Sequence, residues 1–345
     1  MLLLLLGYDA INWFDGRFSL PTPGMLAAPC EFIDVVVTER AAVTGDQSAV
    51  AITFAAPDGS PLPAWSAGAH IDVTLPSGTV RQYSLCGDPT DQSSYRIAVR
   101  LIQDGRGGSA EVHSALTVGT EFQVARPRNA FPLAVGGYNQ TTSAVRLIAG
   151  GIGVTPILPM LDMLDRTATP WSMIYCGRTR DSLAFLSELA RFGDRVTIHE
   201  DATYGPASAE ELLGDLTVSS AVYTCGPPPM IDALRAALVD RPDVEFHYER
   251  FSLAPVVDGR EFDLRFASSG EVVRVAADQT ALSAILGARP DATYSCQQGF
   301  CRSCAVRVLD GAPEHRSTAL SPGELDAGYF LPCVSRSEGC LTIDM

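Results

Sequence analysis

The chain of 345 residues contains no lysine, so all 25 of its basic residues are arginine. Schiff-base catalysis and a Walker-type phosphate loop both require a lysine amine and are therefore excluded. Acidic residues number 40 and give a net charge of −15. Because nucleic-acid binding depends on basic surfaces, we expect no nucleic-acid partner. An acidic surface can steer a basic redox partner, and it can equally serve only for solubility.

Long apolar runs are also missing. The leucine run 2–6 is short, no basic residue precedes it, and Asp9 follows soon after. A membrane span needs about 20 apolar residues, and a secretory signal needs a basic start and a cleavage site of small residues. We therefore expect a cytoplasmic protein that makes no membrane contact, and we take it to be a monomer.

The signatures of hydrolases and of histidine metal sites are absent as well. No serine stands in G-x-S-x-G, and the five histidines show no metal-ligand spacing. The dinucleotide fingerprint G-x-G-x-x-G is also missing. A catalytic triad and a histidine-bound metal are thus unsupported, and any nucleotide site must use a different loop.

Four cysteines near the C-terminus have an informative spacing. Cys296, Cys301 and Cys304 follow C-x4-C-x2-C, and Cys333 comes later, which is the plant-type ferredoxin pattern for a [2Fe–2S] cluster. Gly299 supplies the backbone freedom that a loop with three converging thiolates requires. Zinc is an alternative, although zinc sites usually have paired C-x2-C elements. Disulfides are possible in principle, but nothing else suggests export.

The chain divides into three blocks behind an N-terminal extension at 1–29. Short β-prone runs separated by turns over 30–134 predict an antiparallel β-barrel. Alternating strands and helices over 135–250, with helices at 183–192 and 230–238, predict a doubly wound parallel α/β domain. A linker and a smaller domain with a β-hairpin occupy 251–345.

The strand at 80–85 ends in a combination of side chains that suits a flavin. Arg81 and Tyr83 alternate onto one face and Ser84 onto the other. A guanidinium can bind the flavin phosphate, a phenol ring can lie against the isoalloxazine, and a hydroxyl can approach N5. The R-x-Y-S pattern also occurs in ordinary strands, so it does not decide the matter alone.

A glycine-rich motif, G-R-G-G-S, begins at residue 105 and leads into a predicted helix at 110–116. Free N–H groups and the positive dipole end of a helix N-terminus favour an anion, and Arg106 adds a charge. The motif is therefore a candidate phosphate loop. A plain surface turn is the other interpretation.

Two further motifs follow strands of the α/β block. The segment G-G-I-G-V-T-P at 150–156 is a second candidate phosphate loop, and Thr155 and Pro156 are predicted to start a helix. The segment C-G-P-P-P-M begins at Cys225 and ends another strand, at the carboxyl edge of the sheet where ligands bind. A cysteine there is more often part of the core than catalytic. Because glycine and prolines hold this loop open, it is also a credible place for a nicotinamide ring.

With these motifs in this order, residues 30–345 resemble the phthalate dioxygenase reductase family, which includes vanillate demethylase reductases and is related to ferredoxin–NADP reductases. The resemblance implies three domains. They are an FMN-binding antiparallel β-barrel, a doubly wound NAD-binding domain, and a C-terminal β-grasp ferredoxin domain that carries the cluster.

The same resemblance implies roles for individual residues. FMN would be held by Arg81, Tyr83, Ser84, Arg106, Gly107, Gly108 and Ser109. The dinucleotide would be held by Gly151, Gly153, Thr155, Arg178, Arg180, Cys225 and Gly226. Phe251 would lie between flavin and nicotinamide and would complete a catalytic set with Ser84 and Cys225. The metal ligands would be Cys296, Cys301, Cys304 and Cys333. The two arginines could also bind a 2′-phosphate, which leaves NADPH open as an alternative to NADH.

The function that the resemblance implies is electron transfer from NADH through FMN and the cluster to a terminal Rieske-type aromatic oxygenase. A haem-thiolate monooxygenase is an alternative acceptor. From a different class, a ferredoxin-like carrier with degenerate flavin and nucleotide domains is possible, although two intact glycine-rich loops argue against it. A zinc-bearing regulatory protein is the third interpretation.

Overall fold

The computed structural model describes residues 32–103, 107–137, 142–216, 219–251, 256–294, 297–299, 302–317 and 319–345. Of the predicted features, the extension at 1–29, Arg106, Cys296 and Cys301 lie outside these residues. The described part is organised around three sheets, each with apolar side chains packed on it. Within that part, no helix is both long enough and apolar enough to cross a bilayer.

The first sheet is antiparallel, with strand order β4-β3-β6-β1-β2-β5 and with β7 beside β3. Its strands are β1 (Phe32–Ala42), β2 (Ala49–Ala55), β3 (Ala69–Thr74), β4 (Val80–Ser84), β5 (Tyr95–Arg100), β6 (Glu121–Ala125) and β7 (Arg128–Asn129). Helix α1 (Gly108–Ala115) lies between β5 and β6 in the chain. Alternate residues face a core that includes Ile52, Phe54, Ile71 and Val124, as expected for the predicted barrel.

The second sheet is parallel, with order β10-β9-β8-β11-β12. Its strands are β8 (Ala144–Gly150), β9 (Trp171–Gly177), β10 (Val196–Glu200), β11 (Ser220–Cys225) and β12 (Glu245–Glu249). The helices are α2 (Leu158–Arg166), α3 (Leu186–Leu189), α4 (Asp201–Tyr204), α5 (Ala209–Leu213) and α6 (Pro228–Ala237). The chain order reverses between β8 and β11, and such a switch point is where open α/β sheets bind ligands.

The predicted helix at 183–192 is wrong. Residues Arg180–Ser182 and Ala190–Arg195 form 3₁₀ turns, and only the short α3 is α-helical. Phe185 has φ 61° and its N–H donates to the Val43 carbonyl of the barrel at 3.0 Å. The barrel therefore shapes this segment, because its contact accompanies a left-handed backbone at Phe185 that a continuous helix does not allow.

The third sheet has the order β14-β13-β17-β15-β16. Its strands are β13 (Phe262–Phe266), β14 (Val272–Val275), β15 (Val306–Glu314), β16 (Tyr329–Phe330) and β17 (Arg336–Ile343), and its helices are α7 (Ala281–Ala288) and α8 (Pro322–Asp326). The hairpin β13–β14 is antiparallel, whereas β13 and β17 are parallel, as in a β-grasp domain. Thr280 caps α7, and Ser321 and Glu324 form the capping box of α8.

A buried arginine ties the linker to this third sheet. Arg336 is only 2% exposed, and its guanidinium lies 5.2 Å from the Phe262 ring centroid. It donates hydrogen bonds to the carbonyls of Gln279 at 2.8 Å, Arg260 at 2.6 Å and Ala276 at 3.0 Å. The cation is thus stabilised by backbone dipoles and an aromatic face.

We expect Arg336→Met to lower the opening free energy of β17 by about 2–4 kcal/mol, because the buried carbonyls lose their donors. Native-state hydrogen exchange of the β17 amides measures this change. The control is Arg260→Met, whose exposed side chain pairs with the exposed Glu338 at 3.3 Å and should change stability by less than about 0.5 kcal/mol. Equal losses in the two variants would contradict the role assigned to Arg336.

Candidate active site at the edge of the parallel sheet

The two predicted nucleotide loops meet at the switch point of the parallel sheet. Strands β8 and β11 pair with Ala149 opposite Cys225, so both loops leave the sheet at the same edge. A Cβ atom built on Gly153 would lie 2.3 Å from the Cys225 carbonyl oxygen, and one on Gly226 would lie 3.1 Å from Gly150 Cα. The two loops therefore lie in close contact. A cleft lined by bare backbone is suited to a dinucleotide phosphate.

The first of these loops forms a 3₁₀ turn over Gly151–Val154, with Gly151 at φ 55°. Thr155 is buried, and both its N–H and its hydroxyl donate to the Ile152 carbonyl, at 3.2 and 3.0 Å. The prediction that Thr155 and Pro156 start the helix is wrong, since α2 begins at Leu158. The turn closed by Thr155 delays the helix.

Tyr175 supports this glycine loop, and the sequence did not indicate it. Its side chain is fully buried on β9, and its hydroxyl donates to the Gly151 carbonyl at 2.9 Å. The same oxygen accepts the Ala184 N–H at 3.0 Å. Burial raises the pKa of Tyr175, so the phenol stays neutral. Tyr175 thus links the loop to the segment that packs on the barrel.

Three side chains from different strands meet beside this edge. Cys225 and Glu249 are opposite each other in the pairing of β11 with β12, and the Ser84 hydroxyl of β4 donates to Glu249 Oε2 at 3.3 Å. Burial raises the pKa of Glu249 to about 8. Burial and the nearby Glu249 carboxyl also raise the pKa of Cys225 well above its usual value. The thiol and the carboxyl are therefore neutral at pH 7.

The structure thus brings Ser84 and Cys225 to the same carboxyl group, which the sequence did not assign to the site. Glu249 was visible only as part of the Glu-Arg-Phe triplet that ends at Phe251. An acidic residue at the end of the last parallel strand was the available signal. Phe251 lies two residues beyond Glu249 and is 52% exposed, so its ring stands at the rim of the same edge.

On the barrel side, the two predicted flavin motifs also come together. A Cβ atom on Gly108 would lie 2.4 Å from Arg81 Nε, so a side chain there would displace this guanidinium. Gly107 has φ 80° and precedes α1 as its N-cap. The Ser109 hydroxyl accepts the Ile102 N–H at 3.1 Å. Half-buried Tyr83 has its pKa raised to about 12 by burial, so its ring is neutral.

The loop after β9 carries the two predicted arginines at the same sheet edge. Arg178 and Arg180 are both exposed. Glu200, the last residue of β10, accepts the Arg180 N–H on Oε2 at 3.0 Å. A carboxylate therefore stands beside the arginines, a feature that the sequence did not indicate.

The described part of the candidate metal centre is buried and compact. Cys304 and Cys333 are each 4% exposed and share an apolar cluster with Leu282. Gly299, at φ 82°, packs so closely that a Cβ atom would lie 2.8 Å from Val334, the residue after Cys333. Gly299, which stands between two predicted ligands in the chain, thus lies against the turn between β16 and β17 that carries Cys333. The other two predicted ligands lie outside the described residues.

Comparison with known proteins decides the family. Residues 265–338 match the family described as 2Fe-2S iron-sulfur cluster binding domain, and residues 147–236 match the oxidoreductase NAD-binding domain. The vanillate O-demethylase oxidoreductase of Pseudomonas sp. (strain HR199 / DSM 7063) is 37% identical over 325 residues, which cover 91% of this chain and 100% of that protein. The chain belongs to the family of phthalate dioxygenase and vanillate O-demethylase reductases.

Comparison with solved structures agrees with this family assignment. Phthalate dioxygenase reductase, whose structure is described as modular for electron transfer from pyridine nucleotides to [2Fe-2S], is 28% identical with a TM-score of 0.67, covering 91% of this chain and 98% of its own. An intact type IV self-sufficient cytochrome P450 monooxygenase is 35% identical with a TM-score of 0.73, over 91% of this chain and 41% of its own. The chain likewise spans only 53% of the oxidoreductase NdmD of Pseudomonas putida.

The prediction of an NADH-dependent iron–sulfur oxidoreductase with these three kinds of fold is confirmed at the level of the family. The zinc and carrier interpretations lose their support, because the cysteine region matches a cluster domain and the α/β region matches an NAD-binding oxidoreductase domain. The domain boundaries and the roles of single residues stay predictions.

We expect Tyr175→Phe to raise KM for NADH about tenfold with little change in the rate of hydride transfer, because the glycine loop loses a hydrogen bond and a buried acceptor is left unpaired. Steady-state and single-turnover kinetics separate the two effects. Tyr95→Phe is the control, since the Tyr95 hydroxyl donates to the Pro63 carbonyl at 2.5 Å inside the barrel. A raised KM in both variants would count against the role given to Tyr175.

Proposed function

We propose that this chain is the reductase component of an oxygenase or demethylase system that takes electrons from NADH and delivers them singly to a terminal oxygenase. The observation that carries this proposal is the meeting of Ser84 from the barrel with Glu249 and Cys225 from the parallel sheet. A flavin bound to the barrel and a nicotinamide bound to the sheet would face each other there. FMN would accept the hydride and release electrons one at a time to the [2Fe–2S] cluster.

The flavin site is proposed on β4 and the N-terminus of α1. Arg81 and the bare backbone of Gly107 and Gly108 would bind the phosphate, with Ser109 and Arg106 beside them. The close approach of Gly108 to the Arg81 guanidinium supports this assignment, since both parts of an anion site are in place. A single phosphate loop of this kind fits FMN.

The nicotinamide site is proposed at Cys225 and Gly226, with Phe251 at its rim. Gly151, Gly153 and Thr155 would form the pyrophosphate side. Ser84 would hold a hydroxyl at the flavin edge, and the Glu249 carboxyl would keep that hydroxyl oriented. Neutral Cys225 and Glu249 place no charge where the nicotinamide ring would lie.

The preference for NADH is proposed from the adenosine end. Glu200 is fixed beside Arg180 and would accept hydrogen bonds from ribose hydroxyls. A 2′-phosphate would meet this carboxylate at short range and be repelled. Arg178 and Arg180 would lie near the adenosine ribose.

The cluster ligands are proposed to be Cys296, Cys301, Cys304 and Cys333. A cluster held by four thiolates requires reduced cysteines, so we propose a cytoplasmic location.

Vanillate O-demethylase oxidoreductase is named for a demethylase system, which supports a Rieske-type or related oxygenase as the acceptor. The similarity to a self-sufficient cytochrome P450 keeps a haem-thiolate monooxygenase as the second candidate acceptor. That the chain is a monomer stays a prediction.

The absorption spectrum of the purified protein tests the proposal. Combined flavin and iron–sulfur bands that are bleached by NADH are expected, and a colourless preparation would contradict it.

Cys304→Ser should leave flavin reduction by NADH within about twofold of the original rate and abolish reduction of an external one-electron acceptor protein. The control is Cys340→Ser, because Cys340 lies exposed on the same domain. Acceptor reduction that survives in Cys304→Ser would show that the electron path is wrong.

We expect the rate of flavin reduction by NADH to depend on pH, with its midpoint near pH 8, where Glu249 loses its proton. Burial holds the proton on Glu249 above its ordinary pKa of 4.5 and releases it near pH 8, whereas the hydrogen bond from Ser84 favours the ionised form. Ser84→Ala should therefore move the titration to higher pH, and Glu249→Gln should remove it. Single-turnover stopped-flow measurements between pH 6 and about 9.5 follow it. Glu338→Gln, at an exposed position on β17, serves as control, and a titration that persists in Glu249→Gln would refute the assignment.

A further inference from the structure

The loop that carries Cys296 touches the barrel through a pair of side chains outside the site described above. The guanidinium of Arg128, on β7, lies 5.7 Å from the ring centroid of Tyr294. This distance is within the range of an attractive cation–π contact. Tyr294 precedes Cys296 by two residues, so the contact joins the first domain to the candidate cluster loop.

Arg128 is held from behind by a buried carboxylate. Its Nη2 donates to Asp72 Oδ2 at 2.6 Å, and the Asp72 side chain is only 8% exposed. The other oxygen of Asp72 accepts Gln82 Nε2 at 3.1 Å. Gln82 stands between Arg81 and Tyr83 in the predicted flavin strand. A continuous polar chain therefore runs from that strand to the guanidinium that faces the cluster loop.

The short strand that carries Arg128 is itself firmly anchored. The neighbouring Asn129 amide donates to the Ser66 hydroxyl at 2.8 Å and to the Ala67 carbonyl at 2.9 Å. Its oxygen accepts the Phe131 N–H at 3.0 Å. Arg128 thus projects from a rigid base, so its guanidinium has a defined position.

The contact also lies near the flavin edge of the barrel. His70 of β3 is paired with Ser84 on one side and with Arg128 on the other. Neighbouring strands are about 4.8 Å apart, so the backbones of Ser84 and Arg128 are separated by roughly 10 Å. Tyr294 therefore meets the barrel within a short distance of the residue proposed to face flavin N5.

A second contact holds the other side of the same loop. Gln298 Nε2 donates to the Arg250 carbonyl at 3.3 Å, and Arg250 lies between Glu249 and Phe251. Tyr294 and Gln298 stand two residues before and two residues after Cys296. Tyr294 and Gln298 are thus attached to one each of the other two domains, and the Gln298 contact is next to two residues of the candidate site.

We propose that Arg128 and Tyr294 form a docking contact that positions the cluster loop for electron transfer, with Gln298 as a second support. This rests on the proposed function, in which NADH supplies a hydride, one electron then leaves the reduced flavin, the cluster gains that electron, and no bond forms or breaks in the transfer. Arg128 is a positioning residue, since it acts through Tyr294. A misplacement of about 1 Å at a reacting centre can cost about 10²-fold in rate.

The test uses the holoenzyme and a double-mutant cycle. Arg128→Gln and Tyr294→Leu should each slow cluster reduction at least about tenfold after normal flavin reduction, and the double variant should be no slower than either. Tyr294→Phe keeps the ring and should stay within about twofold. The matched control is Arg166→Gln, which removes the 2.9 Å ion pair between α2 and Asp88 of the barrel and leaves the cluster loop untouched. Stopped-flow absorbance resolves flavin and cluster reduction.

Hydrogen exchange of the peptide that contains Tyr294 and Gln298 gives a readout independent of turnover. Exchange should be faster in Arg128→Gln and unchanged in Arg166→Gln, with flavin and iron content equal to the unsubstituted protein. The proposal is overturned by an unchanged cluster-reduction rate in Arg128→Gln, by effects that multiply in the double variant, or by slower reduction with unaltered exchange. If the unsubstituted protein shows no flavin reduction or no cluster signal, the proposed function itself fails, which is a different result.

Discussion

The parallel pairing of β11 with β8 on one side and β12 on the other is the constraint on which the candidate site depends. This register sets Cys225 opposite both Ala149 and Glu249, so a glycine loop, a thiol and a carboxyl share one edge. A slip of one residue would turn these side chains to the other face. The barrel adds Ser84 through its hydrogen bond to Glu249, so neither domain contains the site alone. The interface is therefore part of the candidate site, and the bidentate pair of Arg96 with Glu188, at 2.9 Å, helps to hold it.

Charge is distributed around this edge in a consistent way. Glu249, Cys225 and Tyr83 all have their pKa raised by burial, so the region where two ring systems would lie is neutral at pH 7. Positive charge stands further out, at the places proposed for phosphates. Since the chain has no lysine, every contact between a phosphate and a basic side chain would use an arginine guanidinium. Its planar fork suits phosphate oxygens and aromatic faces. The same property lets Arg128 bind a carboxylate on one side and face a ring on the other.

The motifs could be predicted from the sequence because each is local: the cysteine spacing and the two glycine loops depend on neighbours in the chain. What the sequence did not indicate arises from tertiary contacts. Tyr175 is an ordinary strand residue until its hydroxyl is seen to bind two backbone groups far apart in sequence. The helix at 183–192 was wrong for the same reason, since the barrel takes the Phe185 N–H. The strand order that sets Glu249 beside Cys225 is likewise invisible in composition or spacing.

The strength of the docking contact bears on how the cluster can serve two partners. A cation–π contact at a partly exposed site contributes about 0.5–2 kcal/mol, and a neutral hydrogen bond about 0.5–1.5 kcal/mol. Together the contacts of Tyr294 and Gln298 amount to about 1–3 kcal/mol, and each 1.4 kcal/mol changes an equilibrium about tenfold. These two contacts by themselves would favour the bound arrangement of Tyr294 and Gln298 over a separated one by roughly ten- to a hundredfold. Under the proposed function, contacts of this strength would hold these two residues while electrons arrive from the flavin and would still let them separate when the cluster serves an oxygenase. A buried ion pair in the same place would have favoured the first task at the expense of the second.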